Sequence, residues 1–253
     1  MLAPTQRFSN RVENYVRYRP GYPPAILDLL VAKCGLTPAV TVADIGSGTG
    51  ILTRMLLGSG SRVFGVEPNR EMREAGERFL AGQPHFTSVA GSAEATTLPA
   101  GSIHIITAGQ AFHWFDRPAA RREFQRILQP GGWVVLLWND RNTSDRPFFR
   151  AYEQLLLTYG TDYAQVNHKN MDAQLIGDFF GPGGYGEASY PNDQTFDFAG
   201  LKGRLLSSSY APEPGHPQHA PMLIALQTLF DAYQINGTVT FDYDTTVYYG
   251  QLT

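Results

Sequence analysis

Three glycines at alternate positions, Gly46, Gly48 and Gly50, follow an acidic residue, Asp44, that closes the short aliphatic run beginning at Val42. Glycine at this spacing lets a backbone turn sharply and pass close to a ligand, because no Cβ stands in the way. Behind the glycines, Ile51 to Leu57 carries apolar residues at helical spacing and stops at Gly58, so the unit reads strand, glycine loop, helix. Such a unit opens a nucleotide-binding βαβ fold. The glycine spacing narrows the ligand. A pyrophosphate loop has its third glycine where Ile51 stands, and the Asp44 carboxylate would repel phosphates while pairing with an ammonium. The loop, with Ser47 inside it, therefore suits a ligand that combines a nucleoside with an amino acid.

Further residues fit that chemistry. Glu67 closes a second short strand about twenty residues beyond Gly46, the spacing at which an acid reaches ribose hydroxyls; alone, it would read as a surface strand-end carboxylate. Pro68 follows it. Ser92, Ala93 and Glu94 leave a third strand with polar groups and a low wall suited to an adenine edge, although loop chemistry explains them equally well. Ala111 to Asp116 is an aromatic cluster just past a fourth strand, where open α/β sheets bind ligands, and is expected to floor a pocket. Within it, His113 is the best placed general base for a hydroxyl acceptor, or else a hydrogen-bonded part of the floor. A carboxylate acceptor would need a cation instead, for which Arg19, Arg141 and Arg146 are available. In the leader from Phe8 to Pro24, tyrosines and arginines interleave up to a Pro/Gly turn; it is either a solvated helix or a flap bringing Arg19 or Tyr22 to an anionic group. His168, His216 and His219 fall in loops without ligand spacing, and no metal site is expected.

These residues need a scaffold, and the hydrophobic pattern supplies one. Strands are expected at Val42–Ile45, Arg62–Asn69, Phe86–Glu94, Ile103–Gln110 and Trp133–Trp138, alternating with helices at Ile51–Leu57, Arg70–Leu80 and Pro118–Leu128. A helix over Ala25–Cys34 precedes them. This alternation specifies a doubly wound parallel sheet. Beyond it, helices are expected at Arg146–Tyr159, Met171–Phe180, Phe198–Ser208 and Pro221–Gln234. Tyr185–Phe198 reads as a strand that Pro191 makes an edge or breaks, and Gly237–Leu252 as a long strand or bent hairpin. The core is thus expected from residues 1–142 and 237–253, with a mostly helical cap from 143–236 whose Tyr159, Tyr163, Phe179, Phe180 and Tyr210 either line an acceptor pocket or fill the cap's own core.

Composition bounds the rest. The 253 residues are 43% hydrophobic, enough for a globular interior, and the net charge of −3 with scattered Lys and Arg gives no footprint for nucleic acid. The single cysteine, Cys34, lies on an apolar helical face and reads as a buried thiol in a reducing compartment. No apolar run is long enough to span a membrane, so a cytoplasmic chain, monomer or homodimer, is expected.

Val42 to Gly50, Val66-Glu67-Pro68, Gly91 to Glu94, Gln110 to Phe115 and Leu128 to Gly132 resemble, in this order, the motifs of class I S-adenosylmethionine-dependent methyltransferases. The match is nearest to a small-molecule branch of methyltransferase type 11 that includes ubiquinone-biosynthesis-type and trans-aconitate-type enzymes, and it covers residues 8 to 138. The resemblance implies a seven-stranded Rossmann-like sheet with its last strand antiparallel, and S-adenosylmethionine as cofactor. It implies Gly46, Gly48 and Gly50 around the methionine part, Glu67 on the ribose, Ser92, Ala93 and Glu94 near adenine, and Gln110 close to the methionine end, with Asp44, Ser47 and Pro68 also expected to bind the cofactor. The leader, with Tyr15, Arg19 and Tyr22, resembles a segment that closes over the cofactor. Nucleic-acid amino-methylating branches carry an Asn/Asp-Pro-Pro-aromatic signature after the fourth strand, and Thr107 to Phe112 contains no proline. The expected function is methyl transfer to a small molecule, at a hydroxyl or carboxyl oxygen. An NAD(P)-dependent oxidoreductase and a catalytically silent S-adenosylmethionine-binding protein are the alternatives.

Overall fold

The computed structural model describes residues 12–141, 146–163 and 173–253. Phe8 to Arg11 of the leader, His168 and the first two residues of the helix expected from Met171 lie outside the described residues. Seven strands, β1 (Thr41–Ile45), β2 (Arg62–Val66), β3 (Phe86–Val89), β4 (Ile103–Gly109), β5 (Leu128–Arg141), β6 (Gly186–Phe196) and β7 (Val239–Gly250), form one sheet in the order β3-β2-β1-β4-β5-β7-β6. The first five pair in parallel, and β7 runs antiparallel to both of its neighbours. This is the doubly wound, seven-stranded arrangement expected from the alternation and the motifs.

Strand periodicity sorts the side chains onto two faces. Val42, Ile105, Val135 and Leu137 pack against Ile26 and Leu30 of α2 (Ala25–Cys34) and Leu52 and Leu56 of α3 (Ile51–Leu57). Their neighbours Ala43, Ile45, Ile106 and Leu136 face the other side, against Phe124 of α5 (Arg117–Ile127) and Phe179 and Phe180 of α7 (Ala173–Phe180). Between these lies α4 (Arg70–Phe79) in sequence, capped by the Asn69 side chain, which accepts from the Met72 N–H. Cys34 is buried, and burial pushes its thiol up to about 12, as befits an inert core residue.

A third core lies over the carboxyl ends of the parallel strands. Helices α6 (Pro147–Tyr159), α8 (Phe198–Leu206) and α9 (His219–Tyr233) pack Tyr152, Leu201, Leu205 and Leu226 on Phe241 and Tyr243 of β7. The N-terminal helix α1 (Val12–Tyr18) joins this cap, its Tyr18 ring lying directly on Gly203 of α8.

Two expectations change, and one with two readings is decided. Phe179 and Phe180 fill the sheet core and not a pocket wall, because α7 lies against the sheet and not in the cap. The Gln129–Gly132 stretch, between the expected helix and strand, belongs to β5, whose pairing with β4 absorbs the extra residues in an irregularity between Ile103 and Ile105, with Gly131 at φ +77°. β6 is an unbroken edge strand, and an edge is where Pro191 is tolerated, since the missing N–H need not serve a second neighbour. Among the described residues no helix is long and apolar enough to cross a membrane.

Candidate functional site

The strand order reverses between β1 and β4, and in open α/β sheets the crevice at such a point takes ligands. Here the chain leaves β1 through the glycine loop. Gly46 has φ +68° and its N–H donates to the Val66 carbonyl at 2.8 Å; a Cβ there would meet the Ala111 Cβ at 2.6 Å, so the close approach of the two loops requires glycine. The Gly48 N–H donates to Glu67 Oε2 at 2.9 Å, and the Asn69 N–H to Oε1 at 2.8 Å. Burial raises the Glu67 carboxyl, and the bonds from Asn69 and Gly48 oppose it. One acid thus holds the glycine loop and the α4 entry together, and it borders a cavity.

Asp44 lies on the same sheet face as Val42 and opposite Thr107 of β4 in register. That face is covered by α3, which brings Thr53 close. Asp44 Oδ2 accepts from the Thr53 hydroxyl at 2.6 Å and Oδ1 from Thr107 at 3.0 Å. Burial nevertheless dominates and lifts the carboxyl from 3.8 to about 6.

At the end of β4, Gln110 sits in the left-handed region with φ +57°, unusual for a residue with a side chain. Its N–H donates to the Leu137 carbonyl at 2.9 Å and its Nε2 to the Asn139 carbonyl at 3.1 Å. Asn139 is itself a hub. Its Oδ1 accepts from Thr245 and from Asn192, and its Nδ2 donates to the Gly21 carbonyl at 3.1 Å. The strained Gln110 is therefore anchored to β5 at the residue whose side chain ties together β6, β7 and the segment from Arg19 to Tyr22, an N-terminal strap.

Two cavities open around this crossing and share Tyr15, Gly46, Gly48, Gly109, Gln110 and Trp114. The smaller, about 770 Å³ with its mouth, is walled by Glu67, Pro68, Met72, Ser92, Ala93 and Glu94. The larger, about 1170 Å³ with its mouth, runs from Asp44 and Ser47 to the cap. Three guanidiniums reach it. Arg19 donates to Ser207 Oγ and O at 3.1 and 3.0 Å and lies 4.9 Å above the Tyr15 ring. Arg141, at the end of β5, is paired with Glu153 of α6 and donates to the Tyr163 hydroxyl at 3.1 Å. Arg204, on the buried face of α8, donates to the Tyr243 hydroxyl at 3.0 Å and to Ser208 Oγ at 3.2 Å.

The residues read from sequence as cofactor-binding or catalytic fall on these walls with one exception. Gly50 lines neither cavity: it begins α3 at φ +86°, and a Cβ there would meet Leu80 at 2.8 Å, so its role is packing α3 against α4. His113 borders the larger cavity beside Trp114, ring centroids 4.7 Å apart, while Phe112 of the same cluster is fully buried among Trp138 and Phe179 and floors no pocket. Of the cations offered to an acceptor, Arg146 lies elsewhere, on Asp242 at the surface. Tyr163 and Tyr210 wall the cavity; Tyr159 packs on the cap core. Sequence reasoning missed Arg204, Asn139 and Thr49. For Arg204 a signal existed, an arginine three residues from Leu201 and beside Leu205 on an apolar helical stripe. Among the described residues no group of three or more His, Cys, Asp or Glu side chains is placed to hold a metal ion.

Residues 43–136 match the family model described as a methyltransferase domain. Over 135 residues the chain is 37% identical to the uncharacterized methyltransferase Rv3342 of Mycobacterium tuberculosis, covering 53% of each. It is 31% identical over 150 residues to the uncharacterized methyltransferase C25B8.09 of Schizosaccharomyces pombe, covering 59% of this chain and 58% of that one. The chain thus spans about half the length of the curated relatives it matches. Among solved structures, a chain from Anaeromyxobacter dehalogenans provisionally named a type II methyltransferase superposes with a TM-score of 0.65 at 19% identity, over 93% of this chain and 98% of that one. The YcgJ protein of Bacillus subtilis does so with 0.57 at 19% identity, over 88% and 96%. At such identity these likenesses speak for the fold.

Proposed function

We propose that the chain, whose residues 43–136 match a methyltransferase domain and lie on a doubly wound sheet, is an S-adenosylmethionine-dependent methyltransferase acting on a small molecule at a hydroxyl or carboxyl oxygen. The observation that carries the reading is the pair of cavities meeting at Gly46, Gly48, Gly109 and Gln110, with an acid at the end of β1 and another just past β2. When bound, the cofactor supplies an electrophilic methyl on a sulfonium that leaves as a neutral thioether, so the chemistry asks for no proton donor.

The chain's residues fit such a group. The smaller cavity has a carboxylate, Glu67, for vicinal hydroxyls, and Ser92, Ala93 and Glu94 about the space for a base. Asp44 and Arg19 supply opposite charges in the larger cavity for an ammonium and a carboxylate. Thr49, buried in the glycine loop, has a hydroxyl without a hydrogen-bond partner among the described residues. Catalysis then rests on holding an acceptor oxygen about 3 to 3.5 Å from the methyl carbon and excluding water, work for the strap around Arg19 and Tyr22 and for the cap. His113 is the residue placed to take a proton from a hydroxyl acceptor; a carboxylate acceptor needs none. The cofactor core is then the sheet with α2 to α5 and α7, and the acceptor region the helices α6, α8 and α9 with α1 against them.

Isothermal titration with S-adenosylhomocysteine tests the reading. Saturable binding with one site per chain is expected. Nicotinamide cofactor binding with none for S-adenosylhomocysteine at millimolar concentration would replace it with an oxidoreductase, and donor binding without transfer to any of a broad acceptor panel would leave a silent binding protein.

A further inference from the structure

The cap end of the larger cavity carries positive charge that the described residues do not balance. Arg19, Arg141 and Arg204 arrive there from three separate elements. Glu153 pairs with Arg141. Arg204, only 7% exposed, is bonded to a phenol and a serine hydroxyl, and among the described residues neither it nor Arg19 has a carboxylate within ion-pair distance. Arg141 adds a second orphan: its side chain is nine-tenths buried, yet its Nε donor has no acceptor among the described residues. A guanidinium taken out of water without a counter-charge is a costly structural choice, and packing alone does not call for it. Tyr210 stands among all three arginines. Burial by itself would raise its phenol, but Arg141 and Arg204, then a hydrogen bond with Ser208 and the charge of Arg19, bring it below its ordinary value.

Charge balance decides what belongs there. This step rests on the methyltransferase reading, in which Asp44 and Arg19 are taken by the ammonium and carboxylate of the cofactor. Arg204 then remains, in a cavity that also receives the positive sulfonium. We infer that the methyl acceptor is an organic anion whose carboxylate is gripped by Arg204 together with Arg141 Nε, its body lying against Tyr163, Tyr210 and Tyr243. Guanidinium and carboxylate form charge-assisted, directional hydrogen bonds. A neutral analogue would leave Arg204 buried and unpaired, so the pair also sets specificity.

The test uses the full chain saturated with S-adenosylhomocysteine, titrated calorimetrically with acetate, succinate, benzoate and phenylacetate, each beside its amide. At least one acid is expected to bind about tenfold or more tightly than its amide. Arg204→Gln should weaken that acid by a similar factor and Arg204→Lys by less, with S-adenosylhomocysteine affinity held within about twofold, the threshold below which no charged bond is lost. Should every acid fail to bind, should amides bind as well as acids, or should Arg204→Gln leave the acid unaffected while S-adenosylhomocysteine still binds, the inference falls and the methyltransferase reading stands. Absence of S-adenosylhomocysteine binding takes both down. The acid–amide contrast is measured on the unaltered protein, so it discriminates even if the variants fold poorly.

Discussion

Glu67 and Asp44 are both buried acids, but they are restrained differently, and that predicts different responses to substitution. Glu67 accepts two backbone N–H groups, one from the glycine loop and one from the α4 entry. Glu67→Gln turns one of those contacts into donor against donor. The loop should lose its register and S-adenosylhomocysteine affinity should fall roughly 10- to 100-fold, in line with a charged bond worth about 1.5–3 kcal/mol; unchanged affinity in calorimetry would show that Glu67 does not organise the loop. Asp44 accepts two hydroxyls, which soften the cost of its burial without removing it. Its folded pKa, about 6, lies above its ordinary 3.8, so between those values the native state holds the proton that the unfolded chain has released. Stability from this group is present below pH 3.8 and is lost as pH rises to about 6, by roughly 3 kcal/mol at most at 1.36 kcal/mol per unit. Ligand affinity should run the other way, rising as Asp44 ionises to face an ammonium. Asp44→Asn should raise the melting temperature of the unliganded protein near pH 7.5 and flatten both pH dependences. A variant that melts lower there, or an affinity indifferent to pH between 5 and 7 in the unaltered protein, would contradict the assignment.

At the scale of elements, the site depends on α1 being strapped to α8. Tyr18 lies on Gly203, Arg19 reaches Ser207 one helical turn further, and Gly21 is held by Asn139 and Asn192 from the sheet. Tyr15 and Tyr22, which border the larger cavity, hang on this strap. Gly203 is the position where the contact is tightest, since any Cβ would enter the Tyr18 ring. Gly203→Ala should cost about 1–3 kcal/mol by overpacking, and most of the effect should be local. Hydrogen exchange of the amides between Val12 and Tyr22 is expected to accelerate, while those of β1 and β4 stay protected. Exchange that speeds up evenly over the whole chain would mean that the contact supports the fold and not the strap.

At the scale of the molecule, what sequence could foretell followed how local each feature is. Asp44, the glycine loop and Glu67 are tied within one strand–loop–helix–strand unit, so spacing was enough to place them. Gly50 looked equivalent to Gly46 and Gly48, yet one residue further along the chain has passed the cavity and begun a helix. Phe179 and Phe180 looked like cap aromatics because the side on which α7 packs is a tertiary fact. Arg204 becomes a site residue only when β7 brings Tyr243 to it and the strap brings Arg19. The same strand has a consequence for cooperativity. β7 contributes Phe241 and Tyr243 to the cap core and Val247 to the sheet core, so neither core can lose β7 without damaging the other. A ligand seated between them, contacting Arg19, Asp44 and Gln110, should therefore stabilise both. With S-adenosylhomocysteine at about a hundred times its dissociation constant, the gain expected from mass action is about 2.7 kcal/mol. Differential scanning calorimetry should show one endotherm that moves upward as a whole. Two endotherms, of which only one responds to the ligand, would mean that cap and sheet unfold separately and that β7 does not couple them.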